Sequence, residues 1–174
     1  MSFCNNSSTP DRCPGNINGN PMNGLCEKVC IQTVKIFDAC MLQTSIDATV
    51  ALTNLSPANP TLPLTFVSGS STSQTGTITA LTITPIADRP GLSRVTATIG
   101  IPVQIAYTDA NGTTGTGTGT ISVSQDVVMC VPTGSVITPN IAATVNMASP
   151  RGTYVSDYTF SITCCVTIIL SVQA

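Results

Sequence analysis

The segment Val95-Thr96-Ala97-Thr98-Ile99-Gly100-Ile101-Pro102-Val103-Gln104-Ile105-Ala106-Tyr107 decides the fold class. Every second residue is apolar, from Val95 through Ala97, Ile99, Ile101, Val103 and Ile105 to Tyr107, and small or polar residues fill most of the positions between them. A period of two places one set of side chains on one face of a strand, so this is a strand with one buried face. Pro102, which has no N–H to give a ladder, predicts an edge position or a bulge at its middle. Asp109-Ala110-Asn111-Gly112 follows as a turn, and Thr113 to Val123 returns as the second arm of a hairpin.

The same period recurs at the end of the chain. Tyr158, Phe160, Ile162, Cys164, Val166, Ile168, Leu170 and Val172 alternate with Thr159, Ser161, Thr163, Cys165, Thr167, Ile169 and Ser171. Cys164 and Cys165 therefore face opposite ways. Further strands are expected at Val29 to Phe37, Thr44 to Thr53, Pro63 to Ser68, Thr77 to Ile86, Val127 to Val131 and Ile141 to Met147, separated by Pro/Gly/Asn turns. Thr, Val and Ile dominate from Lys28 onward and no segment shows a helical period. The expectation is an all-β domain over residues 25–174: a single β-sandwich or jelly roll of about eight strands. Residues 1–24 are rich in Asn, Ser, Pro and Gly, carry Cys4 and Cys13, and have little apolar surface to bury. They are expected to form an extended connector arm.

Composition narrows function. Charged residues make up 8% of the chain, six Lys+Arg against eight Asp+Glu, where an ordinary soluble domain has roughly a quarter. A surface of Thr, Ser, Asn and Gly can be buried against copies of itself without removing isolated charges from water. The basic residues Arg12, Lys28, Lys35, Arg89, Arg94 and Arg151 are scattered, so no nucleic-acid footprint is expected. Cys164 to Val172 is the most apolar stretch, about half the roughly 20 residues a spanning helix needs, and no membrane span is expected.

The chain has eight cysteines, no histidine and one glutamate, Glu27. Acid/base catalysis and mixed metal sites are thereby starved of their usual side chains, whereas disulfides need only thiols and geometry. Cys26, Cys30 and Cys40 lack the paired short spacings of a zinc site and are candidates for disulfides within the domain. Asp38, Asp47, Asp88, Asp109, Asp126 and Asp157 fall near turns and strand ends without an Asp-x-Asp-x-Asp calcium spacing. The run Gly112 to Thr120 lacks the Gly-Lys-Ser/Thr ending of a phosphate loop, and its small side chains instead suit close approach by another backbone. No catalytic residue, metal or cofactor is expected, and the chain reads as a structural protein, not an enzyme.

Two resemblances bear on this. The segment Cys30-Ile31-Gln32-Thr33-Val34-Lys35-Ile36-Phe37-Asp38-Ala39-Cys40 resembles the N-terminal signature of spore-surface proteins of clostridia and related spore formers. The layout of a Cys-bearing arm before a Thr-rich β-domain with late cysteines is similar to the endospore appendage pilins, whose jelly-roll subunits stack into fibres. That resemblance implies that Cys4 and Cys13 are connector cysteines bonding to another subunit, with Cys130, Cys164 and Cys165 as candidate acceptors.

It further implies a homopolymer on the spore surface or outside the cell, made in the mother-cell cytosol without a signal peptide, with an anchoring protein as a second partner. A coat or lattice shell protein and a monomeric, disulfide-stapled binding module are the alternatives. They differ in polymer morphology and in whether all cysteines are satisfied within one chain.

Overall fold

The computed structural model describes residues 34–132 and 138–174, and among them there is no helix. Eight strands follow one another: β1 (Ile36–Ala51), β2 (Thr53–Ser56), β3 (Thr65–Ser71), β4 (Thr75–Pro85), β5 (Leu92–Thr108), β6 (Thr114–Cys130), β7 (Asn140–Ser156) and β8 (Thr159–Gln173). The expected hairpin is β5–β6, paired from Leu92↔Cys130 to Thr108↔Thr114, and the last strand is β8. Two pairs of expected strands merge. Thr113–Val123 and Val127–Val131 are one strand, β6, and β1 runs unbroken past Phe37, where a break before Thr44 had been expected. The expected start at Val29 and the proposed boundary between residues 24 and 25 lie outside the described residues.

All pairings are antiparallel, and they join the strands in one sheet in the order β1-β8-β7-β3-β5-β6-β2, with β4 pairing β5 and β7. The single sheet arises because residues 65–85, as β3 and then β4, lie between β5 and β7 and bond to both. That run is interrupted at Thr72–Gln74, opposite Pro102. Pro102 cannot donate, and its carbonyl accepts from the Thr72 backbone N–H at 3.0 Å. β5 is therefore an interior strand despite its proline; the neighbouring strand carries the break.

The two ends of the sheet, β1 and β2, are consecutive in the chain and join at Leu52. The Gly/Thr run makes this possible. A Cβ on Gly117 would lie 2.9 Å from Leu52 and from Leu55, and one on Gly119 would strike Val50 and come within 3.0 Å of the Ala51 carbonyl. Thr53 pairs with Thr118 on the other side of the crossing. The close backbone approach expected of this run is thus made by the chain's own β1–β2 segment.

The apolar face of the sheet forms one core. All seven alternating residues of β5 from Val95 to Tyr107 are buried, as are Phe160, Ile162, Cys164, Val166, Ile168, Leu170 and Val172 of β8. Burying a side chain of this size stabilises by roughly 1.5–3 kcal/mol, so these two strands supply much of what offsets chain entropy. Phe160 packs edge-on against Phe66 (centroids 5.9 Å apart) and Tyr154 (6.1 Å).

Candidate assembly surface

The cysteines sort by the strand period. In β8, Cys164 pairs with Ile46 and Cys165 with Ser45 of β1, and their side chains leave opposite faces. Cys164 is fully buried, and its thiol donates to the Ile46 carbonyl at 3.6 Å. Burial above all, with Cys165 and Asp47 adding to it, pushes the Cys164 thiol up from its ordinary range. A neutral, enclosed thiol is a poor nucleophile for exchange.

Cys165 is exposed on the outer face. Across the strands beside it, Asp47 accepts from the Thr163 hydroxyl at 2.7 Å, and Thr163 pairs with Arg151 of β7. Adjacent cysteines on one strand cannot bond to each other, because their Cβ vectors diverge.

Cys130 ends β6 and is exposed; its backbone N–H donates to an Asp38 carboxylate oxygen at 2.7 Å, tying the start of β1 to the end of β6. Cys40, two residues beyond Asp38, is half-buried against the core. All four described cysteines are free thiols. Cys4, Cys13, Cys26 and Cys30 lie outside the described residues. Cys164, one of the three acceptor candidates, carries a hydrogen-bonded thiol directed into the core.

Charge is as sparse in space as in sequence. Arg94 and Asp126 form the one salt bridge among the described residues, on the exposed outer face of β5 and β6, and the guanidinium's hydrogen bonds hold the Asp126 carboxyl below its ordinary range. No charged residue occurs between Asp47 and Asp88. Within that stretch, β4 changes partner: Thr75 and Gly76 meet β7, whereas Thr77 to Pro85 pair, among the described residues, with β5. Every residue from Thr79 to Pro85 is exposed. Leu81 and Ile83 are 43% and 39% accessible, although their partners across the ladder, Ala97 and Val95, are 4% and 0% accessible. The sequence pattern marked this segment as a strand but gave no signal that it would change partner from β7 to β5 along its length, since pairing depends on which strands meet.

Three or more Cys, Asp or Glu side chains placed to hold a metal ion do not occur among the described residues. No described helix is long and apolar enough to cross a membrane. Asp109 serves a turn: its carboxylate accepts from the backbone N–H groups of Asn111 (2.9 Å), Thr113 (2.8 Å) and Thr61 (3.3 Å). Comparison with protein-family models, curated proteins and solved structures finds no match.

Proposed function

We propose that this protein is a structural subunit that self-assembles into a disulfide-cross-linked fibre on the spore surface or outside the cell. The observation that carries the reading is the division of the vicinal pair. Cys164 is sealed in the core, while Cys165 stands free on an outer face that holds few charges. A free, exposed cysteine with no bonding partner among the described residues is suited to a bond with another molecule. Cys130, also exposed, is the second acceptor. Cys164 drops to last among the three, because its sulfur would have to leave the core to react.

The donors are Cys4 and Cys13 of the arm, on the resemblance to endospore appendage pilins. Strand pairing at open sheet edges gives association, and the covalent bond prevents release. A contact that is heterologous and does not close a ring propagates as a filament. Within this reading the curled sheet is a jelly roll. Its order places β7 beside the β3–β4 segment that begins the β5–β6 meander, which is Greek-key order, the unit of jelly-roll folds.

The test is electrophoresis after boiling in detergent, with and without reductant, beside negative-stain images. A ladder or well-bound material that collapses to 17.9 kDa on reduction, with fibres in the images, is the expected result. A monomer band in both lanes removes the covalent polymer and leaves the monomeric binding module. Flat arrays instead of fibres move the reading to a lattice shell.

A further inference from the structure

We propose that Asn111 is a site of spontaneous backbone modification, held in its unmodified form by a latch between the β5–β6 turn and Thr61. This chemistry does not depend on self-assembly.

In an Asn-Gly pair the glycine's backbone nitrogen can attack the side-chain carbonyl carbon, Cγ, of the asparagine. The N–H proton passes to solvent base, the new N–Cγ bond closes a five-membered succinimide, and the Cγ–Nδ2 bond breaks as ammonia leaves with a proton from water. Water then opens the ring at either carbonyl, giving aspartate or isoaspartate, and no other reagent is consumed. Glycine obstructs this attack least, because it has no Cβ. Asn111 is exposed, and Gly112 follows it at φ +82°, where a Cβ would meet nothing within 4 Å.

The groups that must react are nonetheless engaged. The Gly112 N–H donates to the Asp109 carbonyl at 3.0 Å, so loss of its proton would leave a nitrogen anion against an oxygen. The Asn111 side-chain amide donates to Thr61 Oγ1 at 2.8 Å, which restrains rotation of the side chain, and the Asn111 backbone N–H donates to the Asp109 carboxylate at 2.9 Å. Thr61 is itself fixed to the turn. Its carbonyl accepts from the Ala110 N–H at 3.0 Å, and its own N–H donates to the Asp109 carboxylate at 3.3 Å. Ring closure brings the Gly112 nitrogen and Asn111 Cγ to bonding distance, so the Gly112 and Thr61 hydrogen bonds have to be given up first. Local opening of the turn therefore governs the rate.

Conversion is irreversible and falls where the hairpin is joined. Isoaspartate adds one carbon to the main chain ahead of Gly112. That shift displaces the Gly112 and Thr113 N–H groups from Asp109 and loosens the Thr108↔Thr114 end of β5–β6.

The test is incubation of the full-length protein in mildly alkaline buffer, with mass spectrometry and isoaspartyl-methyltransferase labelling of the peptide that contains Asn111. Asn111 in native wild type should convert at least about tenfold more slowly than in the same protein unfolded in urea. Thr61→Val keeps the shape but removes the acceptor hydroxyl, and should raise the native rate about three- to tenfold. Thr61→Ser keeps the hydroxyl and should convert at the wild-type rate. Native wild type converting at the urea rate, Thr61→Val converting no faster than wild type, or Thr61→Ser converting as fast as Thr61→Val each overturns the proposal. Should Thr61→Val melt below the incubation temperature, hydrogen exchange on wild type decides. The Gly112 amide is expected to exchange at least about tenfold more slowly than in the unfolded chain, and exchange at the unprotected rate overturns the proposal.

Discussion

Single residues show where the alternation of the chain becomes chemistry. Cys164 and Cys165 share a strand, yet one lies in the core and the other on the surface. With a fast thiol reagent on the native protein, Cys165 and Cys130 should react within the mixing time of ordinary labelling, whereas Cys164 should react only at the rate of unfolding or local opening. Mass spectrometry of the labelled peptides reads this directly; rapid labelling of Cys164 would mean that its strand is not seated as described.

Asp109 makes a second prediction at this scale. Backbone hydrogen bonds, that from Thr113 first, hold its carboxyl below the ordinary range. A carboxylate whose pKa is lower folded than unfolded contributes stability that is complete above the unfolded value and is lost as pH falls through the folded one. Acidification below about pH 4 should therefore lower the Tm, and Asp109→Ala should lower it at neutral pH and flatten that part of the acid dependence. A thermal melt series on both proteins checks this; parallel curves would deny Asp109 the role.

Gly119, in the run whose small side chains suit close approach by another backbone, permits the crossing of β1 into β2. Gly119→Ala would push a methyl group into Val50 and Ala51 and should cost about 1–3 kcal/mol by overpacking, measured by urea unfolding.

Whole elements show which parts of the fold depended on local pattern. β5 and β8 were legible almost to their ends, because both are covered on one face along their length and so keep a strict period of two. Phe160 is the largest side chain of β8 and contacts two other rings, so Phe160→Ala should cost about 3–5 kcal/mol in chemical denaturation. β2 was not legible: it has four residues and exists because Thr53 and Ser56 find Thr118 and Thr116. The merging of β1 escaped for a related reason. Asp38 was expected near a strand end, but its carboxylate accepts from the Cys130 backbone across the chain, 92 positions away, and β1 continues past it with a register shift. Pro102 was expected to mark an edge or a bulge in its own strand; β5 is interior and keeps its register with β6 there, and the break falls on the partner strand.

At the scale of the molecule, the scarcity of charge and the uneven covering of the sheet go together. An uncharged surface can be paired without stranding an ion, and the longest uncharged stretch includes the part of β4 that, among the described residues, pairs with β5 alone. Cys4→Ser with Cys13→Ser should leave a folded domain whose polymers dissociate on boiling in detergent. Polymers of that variant as resistant as wild type would exclude locking by the arm while leaving edge pairing in place.

The sequence by itself determined that the described domain is all-β, which residues of β5 and β8 face inward, and that the vicinal cysteines part company. These follow from the two-residue period of an extended chain and need no knowledge of neighbours. Only the tertiary structure decided that the eight described strands form one sheet, that the Gly/Thr run receives the chain's own crossing segment, that Pro102 lies in an interior strand, and that β4 passes from β7 to β5 as its partner. Each of these depends on which strands meet across long separations in sequence, and hydrogen-bond pairing of that kind leaves little trace in the local order of residues.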